Sequence, residues 1–318
     1  MLNEIKMKLL KIPTPIAGLA LGISGLGWCW ENAAQLHGYG QLIGAAIAAL
    51  LLLMLLGKFI FQPGFLWDEV AHPVVGSVLP TIAMTTMIIA KAIASWDLTV
   101  AQSVWLFAVV LHISFLILFV YHRAKEFKLH HMVPGWFVPP VGMIVADVAF
   151  PGGAFFPVAT ALLYFGMIAY AILLPLMIYR LIFGAEIPDS AKPTIAILAA
   201  PASLSLAGYL TISAAPSLDI VALLVGIAVL MTFVIYVSFF KLLRLPFNPG
   251  YAAFTFPLVI GATALFKVAA WMKQRGVEST FINHAHLLAL IELAVATIVV
   301  SYVAIRYVRF IIKVQAPS

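Results

Sequence analysis

The chain has 318 residues, of which 64% are hydrophobic and 9% charged, whereas an ordinary soluble domain is about 45–50% apolar and about 25% charged. A soluble fold of this composition could not cover its surface with polar groups. That excludes a soluble enzyme, a nucleic-acid-binding domain and a disordered regulator, and leaves a polytopic protein whose surface faces lipid. The net charge of +6 and pI near 9.4 then belong to cytoplasmic loops, not to nucleic-acid contacts. The lone cysteine, Cys29, excludes an intrachain disulfide and a thiolate cluster.

A helix needs about 20 mostly apolar residues to cross a bilayer. Ten segments qualify: 13–34, 39–61, 72–94, 99–121, 134–151, 155–183, 193–214, 218–241, 249–272 and 282–311. The first follows Lys6, Lys8 and Lys11, as a signal peptide would. No small-x-small cleavage site precedes the polar Glu31-Asn32, so it is read as a span. The third span carries Ser77, Thr81, Thr85, Thr86 and Lys91; the fourth carries His112. The loop that follows holds His122, Arg123, Lys125, Lys128, His130 and His131. Adjacent histidines without a third ligand make a poor metal site, and a basic loop at lipid headgroups accounts for them. The fifth span contains Asp147; the seventh contains Ser203, Ser205 and Thr211. The ninth contains Thr255, Thr263 and Lys267, and the tenth Glu292. The connections are short, which predicts one transmembrane domain over 1–318.

With the N-terminus inside, fourteen of the 18 Lys and Arg residues fall in inside segments. Only Lys273 and Arg275 fall outside, and Lys91 and Lys267 lie within spans. This bias supports an even number of spans with both termini cytoplasmic.

Prolines carry a repeat. Pro13, Pro73, Pro134, Pro193 and Pro249 open the odd-numbered spans at separations of 60, 61, 59 and 56 residues. Such a period signals repeated units, here five helical hairpins starting near 13, 72, 134, 193 and 249. Four odd spans also hold an interior proline (Pro80, Pro140, Pro201 and Pro257), and the first holds Gly18, Gly22 and Gly25 instead. Pro175 is the exception in an even span. An interior proline removes a backbone hydrogen bond and kinks a helix. Kinked helices at one register predict an inner ring around a central path, with straight even helices facing lipid. Hydroxyls such as Ser77, Thr81 and Thr255 either line that path or act as packing glue.

These residues resemble the tellurite-resistance/dicarboxylate transporter family, which includes the plant guard-cell slow anion channels. The third span reads His72-Pro73-Val74-Val75-Gly76-Ser77-Val78-Leu79-Pro80, followed by Thr85-Thr86-Met87, like the family's HP-x-x-x-S-x-x-P…TTM stretch. Pro13-Thr14-Pro15…Gly18…Gly22 resembles its first pore helix, and Pro134-Gly135-Trp136-Phe137-Val138-Pro139-Pro140 its fifth. Leu198…Pro201 with Ala207-Gly208-Tyr209 resembles its seventh, and Ala253-Phe254-Thr255-Phe256-Pro257 its ninth.

The resemblance implies an all-α fold of ten helices in five hairpins, one pore per protomer, and a homotrimer in a bacterial inner membrane. It matches Phe256 to the phenylalanine that occludes the pore. It implies an anion channel passing small monovalent anions, with pore-lining or helix-kink positions at Gly18, Gly22, Ser77, Pro80, Thr81, Pro140, Pro201, Thr255 and Pro257. The family's proton-coupled carriers of malate, sulfite or another oxyanion are the alternative. Lys91, Lys267 and Asp147 are ionisable groups within spans, which face a cavity or a partner. The lysines would attract anions or snorkel to water. Asp147 would pair with Lys91 or Lys267, sit at the outer rim, or carry a coupling proton. Glu292 would pair helices or face another subunit, and His112 would pack. No nucleotide fingerprint, metal constellation or nucleophile–base set suggests a cofactor or catalysis.

Overall fold

A computed structural model describes residues 2–315, and the chain is helical throughout, with no strand among those residues. Among the described residues, eight helices or helix pairs are long and apolar enough to cross a bilayer. Five of the ten predicted spans match long unbroken α-helices: α3 (Tyr39–Phe61), α7 (Leu98–Lys125), α10 (Phe156–Phe183), α12 (Leu218–Leu242) and α14 (Ser279–Gln315). These are the even spans. Their apolar runs hold no breaker except Pro175, which α10 carries in its interior.

The odd spans differ from the expectation of kinked helices. The four with an interior proline are broken, with a second piece that begins at or beside a proline, and the first starts directly after one. The first is α2 (Ile16–Trp30), with Pro15 as its N-cap. The third is the single turn α5 (Val75–Val78) followed by α6 (Thr81–Ile93), with Pro80 at the N-cap. The seventh is a 3-10 stretch Lys192–Ala199 leading into α11 (Ala200–Ile212), with Pro201 in its first turn. The ninth is a 3-10 stretch Pro249–Phe254 leading into α13 (Phe256–Gln274), with Pro257 in its first turn. Proline lacks the N–H that a helix interior needs, but the first turn has no use for that donor. The prolines therefore start helices here instead of bending them.

Two predicted spans fall short of a crossing helix. Pro13 and Pro15 delay α2, which is 15 residues long. The fifth span has Pro134, Pro139 and Pro140 within seven residues and becomes short pieces: a 3-10 turn Pro134–Phe137, α8 (Val138–Val141), a 3-10 turn Gly142–Ile144 and α9 (Val145–Val148). A broken backbone at membrane depth must be satisfied by its neighbours. Trp105 Nε1 on α7 donates to Ala146 O at 2.8 Å, and His112 Nε2 lies 2.8 Å from Pro139 O, a contact that only a protonated Nε2 can make. Lys91 Nζ on α6 donates to Phe150 O at 2.9 Å. His112 is thus a hydrogen-bonding residue as well as a packed one.

Burial separates the two classes. In the apolar window of Pro249–Gln274, 89% of residues are buried, against 22% in Phe156–Phe183. Among the buried segments, α2 packs on α6 and α13, α13 on α11, α11 on α9, and α9 on α6, so the contacts return to their start. Each buried segment also packs on the long helix that follows it, most closely α2 on α3. There Gly27 and Gly44 bring the backbones together, and a Cβ on Gly44 would lie 2.9 Å from Ile23 O.

The spans do not account for the helices α1 (Leu2–Leu10) and α4 (Pro63–Ala71). α4 is fixed by a closed triangle of polar contacts. Lys58 Nζ meets Glu69 Oε1 at 2.7 Å and Thr14 Oγ1 at 2.8 Å, and Thr14 Oγ1 donates to Glu69 Oε2 at 2.5 Å. It joins the start of the first buried segment, the end of α3 and α4. The Lys58 and Glu69 side chains are only 7% and 22% exposed. Removing one member of a buried pair strands the other, whereas replacing both by apolar groups does not. Lys58→Met should therefore destabilise the protein by about 3 kcal/mol, the low end of the buried-pair range because Glu69 retains some water contact. Lys58→Met combined with Glu69→Leu should recover most of that loss, read as the thermal midpoint in detergent. A double variant as unstable as the single one would show that the cost lies in lost packing, not in the stranded carboxylate.

Candidate functional site

The breaks in the buried segments lie around one partly open cavity of about 100 Å³, enough for several waters. All five segments contribute to its wall. Pro15 and Gly18 come from the first, Thr81 and Met84 from the third, and Phe137 and Val141 from the fifth. Pro201 and Leu204 come from the seventh, and Ala252, Phe256 and Pro257 from the ninth. No charged side chain lines it. Beyond it lies a second void of about 10 Å³, walled by Gly25, Trp28, Ile88, Val148, Val259 and Thr263 among others. Leu204 and Phe256 are the residues shared by both walls.

Phe256 is the first residue of α13 and is 7% exposed. Its position is held from behind. Thr255 Oγ1 reaches Ala252 O at 2.7 Å and Gly18 O at 3.1 Å, tying the start of α13 to α2. Gly22 faces the Thr255 side chain so closely that a Cβ there would clash. A Cβ on Gly25 would lie 3.6 Å from the Phe256 ring.

Of the residues expected to line a path or to mark a helix kink, together with Phe256, the cavity wall includes Gly18, Thr81, Pro201, Phe256 and Pro257, and Gly22, Ser77, Pro80, Pro140 and Thr255 are off it. The hydroxyls explain part of this division. Ser77 Oγ donates to Val74 O at 2.7 Å, and Thr255 turns to the α2 backbone. A hydroxyl in an apolar bundle satisfies itself on a nearby carbonyl and serves as packing glue. Thr81 lines the wall but gives its proton to Val78 O.

The charged candidates lie elsewhere, and neither void touches Lys91, Asp147 or Lys267. The expected ion pair of Asp147 with Lys91 or Lys267 is not formed within 4.0 Å. Lys91 is engaged by Phe150 O, and the Asp147 carboxylate is held in the packing of α9 on α11. A Cβ on Gly208 would stand 2.5 Å from Asp147 Oδ2 and 2.7 Å from Leu163 Cδ1. Asp147 is 0% exposed, so it is not at a solvent-exposed rim, and neither of its oxygens has a hydrogen-bond partner. Lys267 is its nearest electrostatic counterpart and makes no hydrogen bond or ion pair of its own among the described residues. Glu292 is buried where α14 packs on α13, against Gly261, which sets aside a subunit-surface role.

The sequence reading missed Leu204, Met84, Phe137 and Val141 as wall residues. Nothing in their chemistry separates them from other apolar residues. The usable signal is their short offset from an interior proline, which fixes where the helix starts.

The tether at Thr255 gives a direct test. Thr255→Val keeps the shape and removes the hydroxyl, and should cost about 1 kcal/mol. Thr255→Ser should keep most of the stability, with both read as thermal midpoints. A loss in Thr255→Ser with none in Thr255→Val would assign the effect to the methyl instead of the hydroxyl.

The family described as SLAC1, voltage-dependent anion channel, matches residues 13–308. Two proteins of Methanocaldococcus jannaschii, each described as an uncharacterized transporter, are similar to the chain. One is 26% identical over 63% of this chain and 66% of its own length; the other is 27% identical over 60% and 62%. The aligned part thus spans less than two thirds of either relative's length. With the family matched over nearly the whole chain and the helices of a multi-pass membrane protein in place, the chain belongs to the SLAC1 voltage-dependent anion channel family.

Proposed function

We propose that the protein is an anion channel whose conduction path runs between the five buried segments and is closed by the Phe256 ring. The observation that carries this reading is the placing of Phe256 between two voids whose walls come from those segments. A bulky ring in a narrow apolar passage blocks ions by filling it and by excluding water. The path has no fixed charge along its wall, so an anion would be held only by dipoles. Four helices begin at the cavity wall, where Pro15, Thr81, Pro201 and Phe256 stand. A helix N-terminus carries a partial positive charge that favours anions. Weak sites let an ion leave as well as enter, so selectivity among small monovalent anions would be low.

In this reading the chain is one transmembrane domain of ten crossings in five hairpins. The short α2 and the broken fifth segment complete the count as inner-ring members. The basic end faces the cytoplasm, where Arg123, Arg180 and Lys192 are anchored by loop carbonyls and carboxylates. The membrane is a bacterial inner membrane, and three protomers assemble with separate pores, as the family resemblance implies. In this reading Lys267, which makes no hydrogen bond or ion pair among the described residues, serves to attract anions.

A second reading, a proton-coupled oxyanion carrier, is favoured by one observation: the buried Asp147 carboxylate has no partner. An unpaired buried carboxylate is costly when ionised, and it is a natural place for a proton.

Planar bilayers holding purified protein separate the two. Phe256→Ala should raise anion current at least about tenfold over wild type in chloride and nitrate, because removing the ring widens and wets the constriction. Unchanged current would sink the gate. Saturating, proton-driven malate uptake into vesicles, abolished in Asp147→Asn, would establish the carrier instead.

A further inference from the structure

Phe256 does not stand alone between the two voids. The wall on each side also includes Leu204, and these two residues are the ones the voids share. They come from α11 and α13, which pack directly on each other. Both side chains are buried, at 3% and 7% exposure. Their surroundings are unequal. On the α2 side the Phe256 ring lies against Gly25, which has no side chain to oppose it. Leu204 sits within the first turns of α11, three residues after Pro201, and its backbone is fixed by the helix. A ring at the first residue of a helix has fewer neighbours on its own helix than a leucine inside one.

We infer that Leu204 is the second half of the barrier, an apolar side chain that stays in the passage and limits anion flow once the Phe256 ring is out of the way. The inference rests on the reading of Phe256 as the gate. Its physical basis is the steep dependence of ion passage on the width and wetting of an apolar constriction. A leucine left at the partition keeps it narrow and dry on one side. Shortening that side chain should widen the open passage, and enlarging it should close the passage again. Leu204 would then set the conductance of the open channel, while Phe256 sets whether it is open.

The test is made in the Phe256→Ala background, in planar bilayers with chloride, on purified protein matched in amount and in size-exclusion profile. Adding Leu204→Ala should raise single-channel conductance several-fold above Phe256→Ala alone. Adding Leu204→Phe should return the current to near the wild-type level, a re-closure that a general packing role would not produce. Leu210→Phe, on the same helix but on neither wall, should leave the Phe256→Ala conductance as it was. A conducting Phe256→Ala channel that ignores both Leu204 changes overturns this inference and leaves the gate standing. A re-closure equally strong with Leu210→Phe also overturns it, since any added bulk on α11 would then suffice. Silence in Phe256→Ala overturns the gate and this inference together.

Discussion

A proline in a lipid-embedded helix leaves a carbonyl without its donor, and hydrocarbon offers no replacement. Four of the five buried segments of this chain carry that burden, and much of the architecture follows from how it is met. Helices restart at or beside Pro15, Pro80, Pro201 and Pro257, where the missing N–H is harmless. The segment that cannot restart cleanly, around Pro134, Pro139 and Pro140, is served by Trp105, His112 and Lys91 from its neighbours. The long outer helices therefore supply donors to the inner segments as well as shielding them from lipid.

The same breaks create the cavity. A continuous helix would carry side chains through the middle of the bundle in regular rows. A segment that breaks or restarts at one level alters its path there, and the five segments surround a cavity of about 100 Å³. Because the second pieces start at this level, their N-terminal ends meet at the wall, which gives an uncharged site a bias toward anions. Low affinity and absence of fixed charge are compatible demands for conduction. The polar side chains near the cavity are spent on the backbone, and Phe256 and Leu204 are the residues its wall shares with the second void.

Buried charge is arranged differently at the two ends of the bundle. At the basic end, Lys58, Glu69 and Thr14 close a satisfied triangle that fixes α4 to the first buried segment. Within the bundle, Asp147 and Glu292 each lie against a glycine, Gly208 and Gly261, at a helix contact. Their carboxylates fill the space that those glycines leave. Asp147 has no hydrogen-bond partner, Lys91 is engaged by Phe150 O, and Lys267 acts on the carboxylate without forming an ion pair.

The sequence by itself determined the membrane class, the five long lipid-facing helices and the level of the breaks. These follow from apolar length and from proline's missing N–H, and both act locally along the chain. The boundaries of Tyr39–Phe61 and Phe156–Phe183 were legible to within a residue for that reason. Tertiary structure alone decided which side chains meet. Thr255 and Ser77 could have faced a path or a carbonyl with equal local chemistry, and packing turned both to carbonyls. Leu204 looks like any other buried leucine until α11 and α13 are brought together. The pairing of Asp147 was likewise undetermined, because direction in space is set by the contact of α9 with α11, and a spacing in sequence carries no such information.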